Sequence, residues 1–353
     1  MKTIQAKFYY LLFVAVFLMS FLSITHNNQT VFATSQIPFQ LQAIHPDNQL
    51  NANDYDDLLI TPNTSQDLSF VVQNSDNSAR TFVVEANNAT TSDGIAVTYD
   101  EHERNNLLSP MFSDLIANRK QKITVPANTS QTVTFNLKYP SQQFDGVILG
   151  GITVYLDDSD TQNKQSDNGS FAITNRFTYS NAVQLRTSKE ITAVPKLIAN
   201  KAEMTTSNAY PYVKVNLSNS ARAIIKQMST ENTIQDSSGK IVESYKTTNG
   251  QVAPNSDFNL AIPLTNGALP AGKYHAIGTA TSGNQSWTWN QEFEVTNDNS
   301  KSVDHESIIK PKVNYWLYLS LLLLLLIIVL IIVIIFLIIK NRKKEDKNNE
   351  KIN

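Results

Sequence analysis

Residues 315–339 carry no charge and a single polar side chain, Ser320, and nothing else in the chain restricts its fold so firmly. At ~1.5 Å rise per residue, a helix of this length reaches about 37 Å, more than the ~30 Å of a bilayer core. A soluble core helix would keep a polar face, and this segment has none. Tyr315, Trp316 and Tyr318 gather at its N-terminal edge, where amphipathic rings favour the headgroup layer. Lys340, Arg342, Lys343, Lys344, Lys347 and Lys351 follow it, against only Lys301, Lys310 and Lys312 close before it. Positive residues stay in the cytoplasm. The pattern predicts a single-pass type I membrane protein with its helix at 313–339, a basic cytoplasmic tail at 340–353 and its bulk outside the cell.

The N-terminus agrees with this orientation. Lys2 and Lys7 precede an apolar stretch over residues 8–24, and Val31-Phe32-Ala33 offers a small residue for cleavage. This is the layout of a secretory signal peptide over 1–33; an uncleaved anchor is the alternative, because the apolar stretch is long. The chain has no cysteine in 353 residues. That suits an exported protein of a Gram-positive bacterium better than one from an oxidising eukaryotic route. Of the net charge of −2, the tail holds +3 and the first 33 residues +2, which leaves about −7 on the exported part. An acidic ectodomain offers no footprint for nucleic acid.

Strict alternation dominates that exported part. Val133, Phe135, Leu137 and Tyr139 alternate with Thr134, Asn136 and Lys138; Val213, Val215 and Leu217 alternate with Lys214 and Asn216. Phe258, Leu260, Ile262 and Leu264 form a third series, and Trp287, Trp289, Phe293 and Val295 a fourth. Phe171, Ile173, Phe177 and Tyr179 belong to a further strand segment. Each pattern predicts a half-buried antiparallel strand. Asp93-Gly94, Asn168-Gly169, Ser238-Gly239, Asn249-Gly250 and Ser282-Gly283 supply the positive-φ residues of tight hairpins. Helical patterning is scarce; Pro110 limits the stretch 106–120 to a turn or two. The expectation is an all-β protein, two tandem immunoglobulin-like β-sandwiches followed by one C-terminal transmembrane helix. The first sandwich takes 34–188 (motif core 37–157) and the second 189–297. The junction falls between Arg186 and Leu197, and a polar spacer covers 298–312. Residues 157–170 read as a long hairpin tip.

The residues give no catalytic constellation. His26, His45, His102, His275 and His305 are scattered, and Glu101-His102-Glu103 lacks the second histidine of a zinc-protease helix. No serine lies in a Gly-x-Ser-x-Gly elbow, and there is no thiol. Asp158-Ser159-Asp160-Thr161-Gln162 opens like a calcium loop but lacks the central glycine and the closing glutamate, so a solvated tip is preferred. No metal, cofactor or enzymatic activity is expected. Trp287 and Trp289 are the candidate ligand-binding aromatics, as a sugar-stacking platform; the competing reading packs them into a core with Phe293.

Several segments together resemble a known family. In the first half, Pro46, Asn48, Gln49, Tyr55 and Asn74 lead to Ala89-Thr90, Gly94-Ile95 and Tyr99. Pro140 then precedes Phe144-Asp145-Gly146-Val147-Ile148-Leu149-Gly150-Gly151-Ile152. In the second half, Ala253-Pro254-Asn255-Ser256-Asp257-Phe258 precedes Leu269-Pro270-Ala271-Gly272-Lys273-Tyr274 and Trp287-Thr288-Trp289. These resemble the WxL-interacting proteins of Gram-positive bacteria, over nearly the whole ectodomain. The resemblance implies a peptidoglycan-binding first domain and a host-binding second domain whose family boundary starts near 168. It also implies association with secreted WxL-domain proteins, display at the cell wall and contact with host matrix proteins. The chain has no Trp-x-Leu motif, so it resembles the receptor-like partner. The motif residues Asp145, Gly146, Gly150, Gly151, Pro254, Gly272 and Tyr274 read as structural. Glycines within a strand mark a bulge or a close backbone approach, and Tyr274 suits a tyrosine corner.

Overall fold

The computed structural model describes residues 37–99, 107–157, 176–310 and 315–349. The signal peptide, Glu101-His102-Glu103, the calcium-like Asp158 to Gln162, Asn168-Gly169, Phe171 and Ile173 lie outside the described residues. Residues Phe39–Asn353 form one compact unit; of Met1–Pro38 only residues 37 and 38 are described. The described part of the chain is mostly β-sheet.

Two sheets account for residues 39–186. Strands β1 (Phe39–Ile44), β3 (Ser65–Asn74) and β8 (Thr129–Lys138) form one in the order β1-β3-β8. Their antiparallel register sets Leu68 beside Phe135 and Phe70 beside Val133, all buried. The other sheet runs β2 (Asp56–Leu59), β10 (Thr178–Arg186), β9 (Ile148–Leu156), β4 (Arg80–Asn88), β7 (Lys120–Val125). Only β2 and β10 pair in parallel. Phe82, Val84 and Ala86 face inward beside Val154 and Ile152. The Phe39 ring joins the two layers, 5.2 Å from Phe82 and 5.4 Å from Tyr179.

Residues 197–295 build a second pair. Strands β11 (Leu197–Ser207), β12 (Tyr210–Asn219) and β15 (Ser256–Pro263) lie in the order β11-β12-β15. Against them stand β14 (Ile241–Val252), β13 (Ile225–Asp236), β16 (Gly272–Ser282) and β17 (Gln285–Val295), in that order. Val213, Val215 and Leu217 pair with Ile262, Leu260 and Phe258, and one buried cluster joins them to Ile234, Ala276, Trp289 and Phe293. The alternation read from the sequence is therefore the alternation that the core enforces. Among the described residues, no sheet mixes strands from the two sides of residues 187–196.

Turn chemistry departs from expectation at two places. Gly239 and Gly283 take positive φ as predicted, but in the hairpin of β5 (Thr90–Thr91) and β6 (Val97–Thr98) the left-handed residue is Ile95, φ 58°, and not Gly94. Gly250 lies inside β14 beside a register shift, and its neighbour Asn249 has the positive φ. Near the expected turn at 106–120, one 3-10 turn forms at Phe112–Leu115.

The polar stretch expected as a spacer is largely a helix, α1 (Asn297–Glu306), capped by Thr296, whose hydroxyl accepts from the Asn299 N–H at 3.1 Å. Its single buried apolar residue, Val303, joins the second core, and Ser300 donates to the Leu269 carbonyl at 2.8 Å. One apolar side chain in ten residues leaves no periodicity for a sequence to show. The last helix, α2, spans Tyr315–Asn349. Its described side chains, Trp316 and residues 319–335, are exposed. Among the described residues no helix is long and apolar enough to cross a membrane.

Candidate functional site

The face of the five-stranded sheet opposite Phe82 and Val84 is polar, which a strand buried on both sides would not permit without partners. A row crosses it from Lys120 on β7 through Glu85 on β4 and Thr153 on β9 to Ser180 on β10. Glu85 accepts from the Lys120 ammonium at 2.7 Å and from the Tyr155 hydroxyl at 2.8 Å. That carboxylate raises the Lys120 ammonium above its ordinary value. Burial first, and then Glu85, raises the Tyr155 hydroxyl. The Arg176 guanidinium lies 4.7 Å over the Tyr155 ring. In the next row, Asn87 donates to the Tyr99 carbonyl at 2.9 Å and to Thr153 at 3.1 Å. Burial, with Tyr55 nearby, pushes the Tyr99 hydroxyl up to about 12. It remains a neutral donor at physiological pH.

The same face ends at a cleft of about 310 Å³ bounded by both sheet pairs and by residues 191–195. Asp57 anchors its first wall. Its carboxylate accepts from Arg186 and Asn51 at 2.5 Å and from Gln184 at 2.9 Å. Arg222, Ala223 and Lys226 come from the second sheet pair. A larger open hollow of about 610 Å³ lies beside Pro270 and α1. There Asp236 accepts from Ser238 and from the Lys240 backbone N–H, and Glu243 accepts from Thr265, so both carboxylates are already hydrogen-bonded within the protein. Among the described residues no group of three His, Cys, Asp or Glu could hold a metal.

The sheet pairs meet at a seam centred on Arg222. Its carbonyl accepts from the Val147 N–H at 2.7 Å, its side chain donates to the Pro110 carbonyl at 3.1 Å, and its guanidinium lies 5.3 Å over Phe144. Burial lowers its pKa. Thr91 bonds Ser256 at 2.9 Å and accepts from the Ala253 N–H at 2.9 Å, both buried. Ile95, 2% exposed, sits in the second core although it belongs to the first half of the chain. Lys214 pairs with Asp93 at 2.6 Å.

The residues singled out from the sequence scatter across these features. Gly146, φ 93°, lies against Arg222, whose carbonyl would stand 2.2 Å from an added Cβ. Gly150 and Gly151 sit in unbroken register, so neither is a bulge. They are close approaches, the first under the Phe112 ring and the second under Tyr99. Asp145 accepts from the Thr192 N–H at 3.0 Å and from its hydroxyl at 2.5 Å, and these bonds hold its carboxyl below the usual range. Pro254 precedes Asn255, whose amide donates to the Leu108 carbonyl at 2.9 Å across the seam. Gly272 opens β16, and the Tyr274 hydroxyl donates to the Pro270 carbonyl at 2.9 Å. The tryptophans do not form a platform. Trp289 is buried and lies on Gly278, and half-buried Trp287 packs against the same core. Sequence reasoning missed Arg222, Ile95 and the Asp57–Arg186 pair. The one visible signal was Glu85 and Asn87 alternating with Val84 and Ala86 inside an apolar strand.

Two family models match the chain. One is described as "WxL Interacting Protein, peptidoglycan binding domain" and covers residues 39–155; the other, "WxL Interacting Protein, host binding domain", covers 168–305. No curated protein matches. Solved structures give distant likenesses. A chain of a chaperone–tip adhesin complex of CFA/I fimbriae biogenesis is 11% identical, with 72% of this chain and 98% of that chain covered and a TM-score of 0.29. A chain of the Salmonella enterica SafA pilin–SafB chaperone complex is also 11% identical, with 74% and 99% covered and a TM-score of 0.27. The E. coli chaperone DraB is 13% identical, with 73% and 95% covered and a TM-score of 0.26. Such scores fix neither topology nor function.

Proposed function

Because this chain belongs to the WxL-interacting protein family, we propose that it is a non-enzymatic surface scaffold, anchored in the membrane, that binds WxL-domain proteins and peptidoglycan and displays them at the cell wall. The observation that carries this reading is the pairing of a peptidoglycan-binding and a host-binding model on one chain, over 39–155 and 168–305. On the polar sheet face, a hollow of about 260 Å³ lined by Glu85, Asn87, Arg119 and Lys120 suits a glycan, whose hydroxyl and acetamido groups bond to charged and amide side chains alike. Anchoring rests on the uncharged run at 315–339 and the cations after it. We read both sheet pairs as immunoglobulin-like. In the second, the first, second and fifth strands face the fourth, third, sixth and seventh, a Greek-key order. The host-binding model favours a second reading, a direct adhesin for host matrix proteins.

A pull-down with residues 34–310 against a purified WxL domain, sacculi and matrix proteins tests this. Capture of the WxL domain at micromolar affinity together with sacculi is the expected result. Capture of matrix proteins alone replaces the scaffold with the adhesin, and capture of nothing overturns both.

A further inference from the structure

The cleft at the end of the polar face carries charge that its own walls do not neutralise. Five titratable groups line it: Tyr55, Asp57, Arg186, Arg222 and Lys226. Asp57 and Arg186 neutralise each other at 2.5 Å. Arg222 and Lys226 remain, and neither has a carboxylate partner among the described residues. Lys226 is exposed, while Arg222 is fixed between Phe144 and the Pro110 carbonyl. Two unneutralised cations at one end of the cleft, beside the neutralised Asp57–Arg186 pair, attract an anion whose charge is small and local. The volume, about 310 Å³, is at the small end of the roughly 300–1,000 Å³ typical of ligand pockets. Tyr55 and Ile191, 37% and 39% exposed, give it an apolar rim with room for short aliphatic side chains. Gln184 and Asp57 belong both to the cleft and to the sheet face, so one ligand can run from the face into the cleft.

We propose that this cleft binds the free carboxylate end of a peptidoglycan stem peptide, with the carboxylate on Lys226 and Arg222 and the small side chains against Tyr55 and Ile191. The proposal rests on the wall-binding reading above and assigns the peptide half of the ligand to a site apart from the glycan half.

The test uses the full chain in detergent micelles and three labelled probes: N-acetylmuramyl pentapeptide ending in a free carboxylate, its C-terminal carboxamide, and an all-L peptide of the same length with a free carboxylate. Lys226→Met is the variant, because an exposed lysine without a partner can be replaced without unfolding the chain. The expected result is that the carboxamide and Lys226→Met each weaken muramyl pentapeptide binding at least tenfold, with the all-L peptide at least tenfold weaker than the muramyl probe. Equal binding of acid and amide, no effect of Lys226→Met, or no binding of the muramyl probe overturns the cleft assignment. Equal binding of the all-L peptide makes the cleft a reader of protein C-termini and also overturns it. Sacculus binding is scored separately: if Lys226→Met still binds sacculi, the wall reading stands whatever becomes of the cleft.

Discussion

Gly278 shows how a single missing methyl decides the second core. A Cβ there would stand 2.3 Å from the Trp289 ring and 2.5 Å from the Asn232 side-chain oxygen, neither of which can retreat within a packed sandwich. Gly278→Ala is expected to cost about 1–3 kcal/mol by overpacking, visible as a lowered urea midpoint and altered tryptophan emission. An unchanged midpoint would mean that the indole is free to move. Tyr274→Phe removes one hydroxyl bond to the Pro270 carbonyl and should cost about 1 kcal/mol, measured the same way. Asp145 makes a pH prediction. The Thr192 bonds depress its carboxyl below the ordinary 3.8, so its contribution is fully present above that value. It is lost as pH falls through the depressed folded value. An NMR titration should place the Asp145 carboxyl midpoint, and the matching Thr192 amide shift, below 3.8. A midpoint at or above 3.8 would show that the tether to Thr192 does not form in solution.

Among the elements, the β5–β6 hairpin does the most for its size. Its tip carries Ile95 into the second core, and its backbone bonds there, with the Gln251 N–H donating to the Ile95 carbonyl at 2.8 Å. A β-branched residue at φ 58° is a strained choice that persists only where burial compensates for it. Ile95→Ala should destabilise the protein by about 2–5 kcal/mol, read from denaturant unfolding. A loss below about 1 kcal/mol would mean that the second core closes without the hairpin. Nothing in Gly94-Ile95 announces this role, because the pairing partner is far along the chain. The strands themselves were legible. Alternation at 133–139, 213–217 and 258–264 is imposed by one wet and one dry face, and each series became a strand with that face buried. Contacts between distant residues were not legible. Arg186 and Asp57 are 129 positions apart and Thr91 and Ser256 are 165 apart, so the cleft and the seam exist only once the sheets have formed. The tryptophans were ambiguous for another reason: a same-face aromatic stripe reads alike whether the face meets a core or a sugar, and Gly278 decided it by letting the ring lie flat.

At the scale of the whole molecule, two separate sheet pairs share one compact unit, and the seam between them is held by hydrogen bonds, the Lys214–Asp93 ion pair, Arg222 over Phe144 and the inserted Ile95. Two sandwiches on a loose linker would unfold independently; two that share Ile95, Thr91 and Arg222 should lose their structure together. The chain provides its own probe for this. Its three tryptophans are Trp287, Trp289 and Trp316, so in a fragment of residues 34–310 the emission reports the second sheet pair alone. Far-UV circular dichroism reports both pairs. The expected result is one urea transition in which fluorescence and dichroism coincide. In Ile95→Ala the curves should separate, with part of the dichroism lost at a different denaturant concentration from the fluorescence. Separate curves in the unmodified fragment would mean that the seam holds less free energy than either core, and the two halves would then act as independent binding modules. Coincident curves would make the spacing between the peptidoglycan-binding and host-binding domains a fixed property of the molecule, as the proposed scaffold requires.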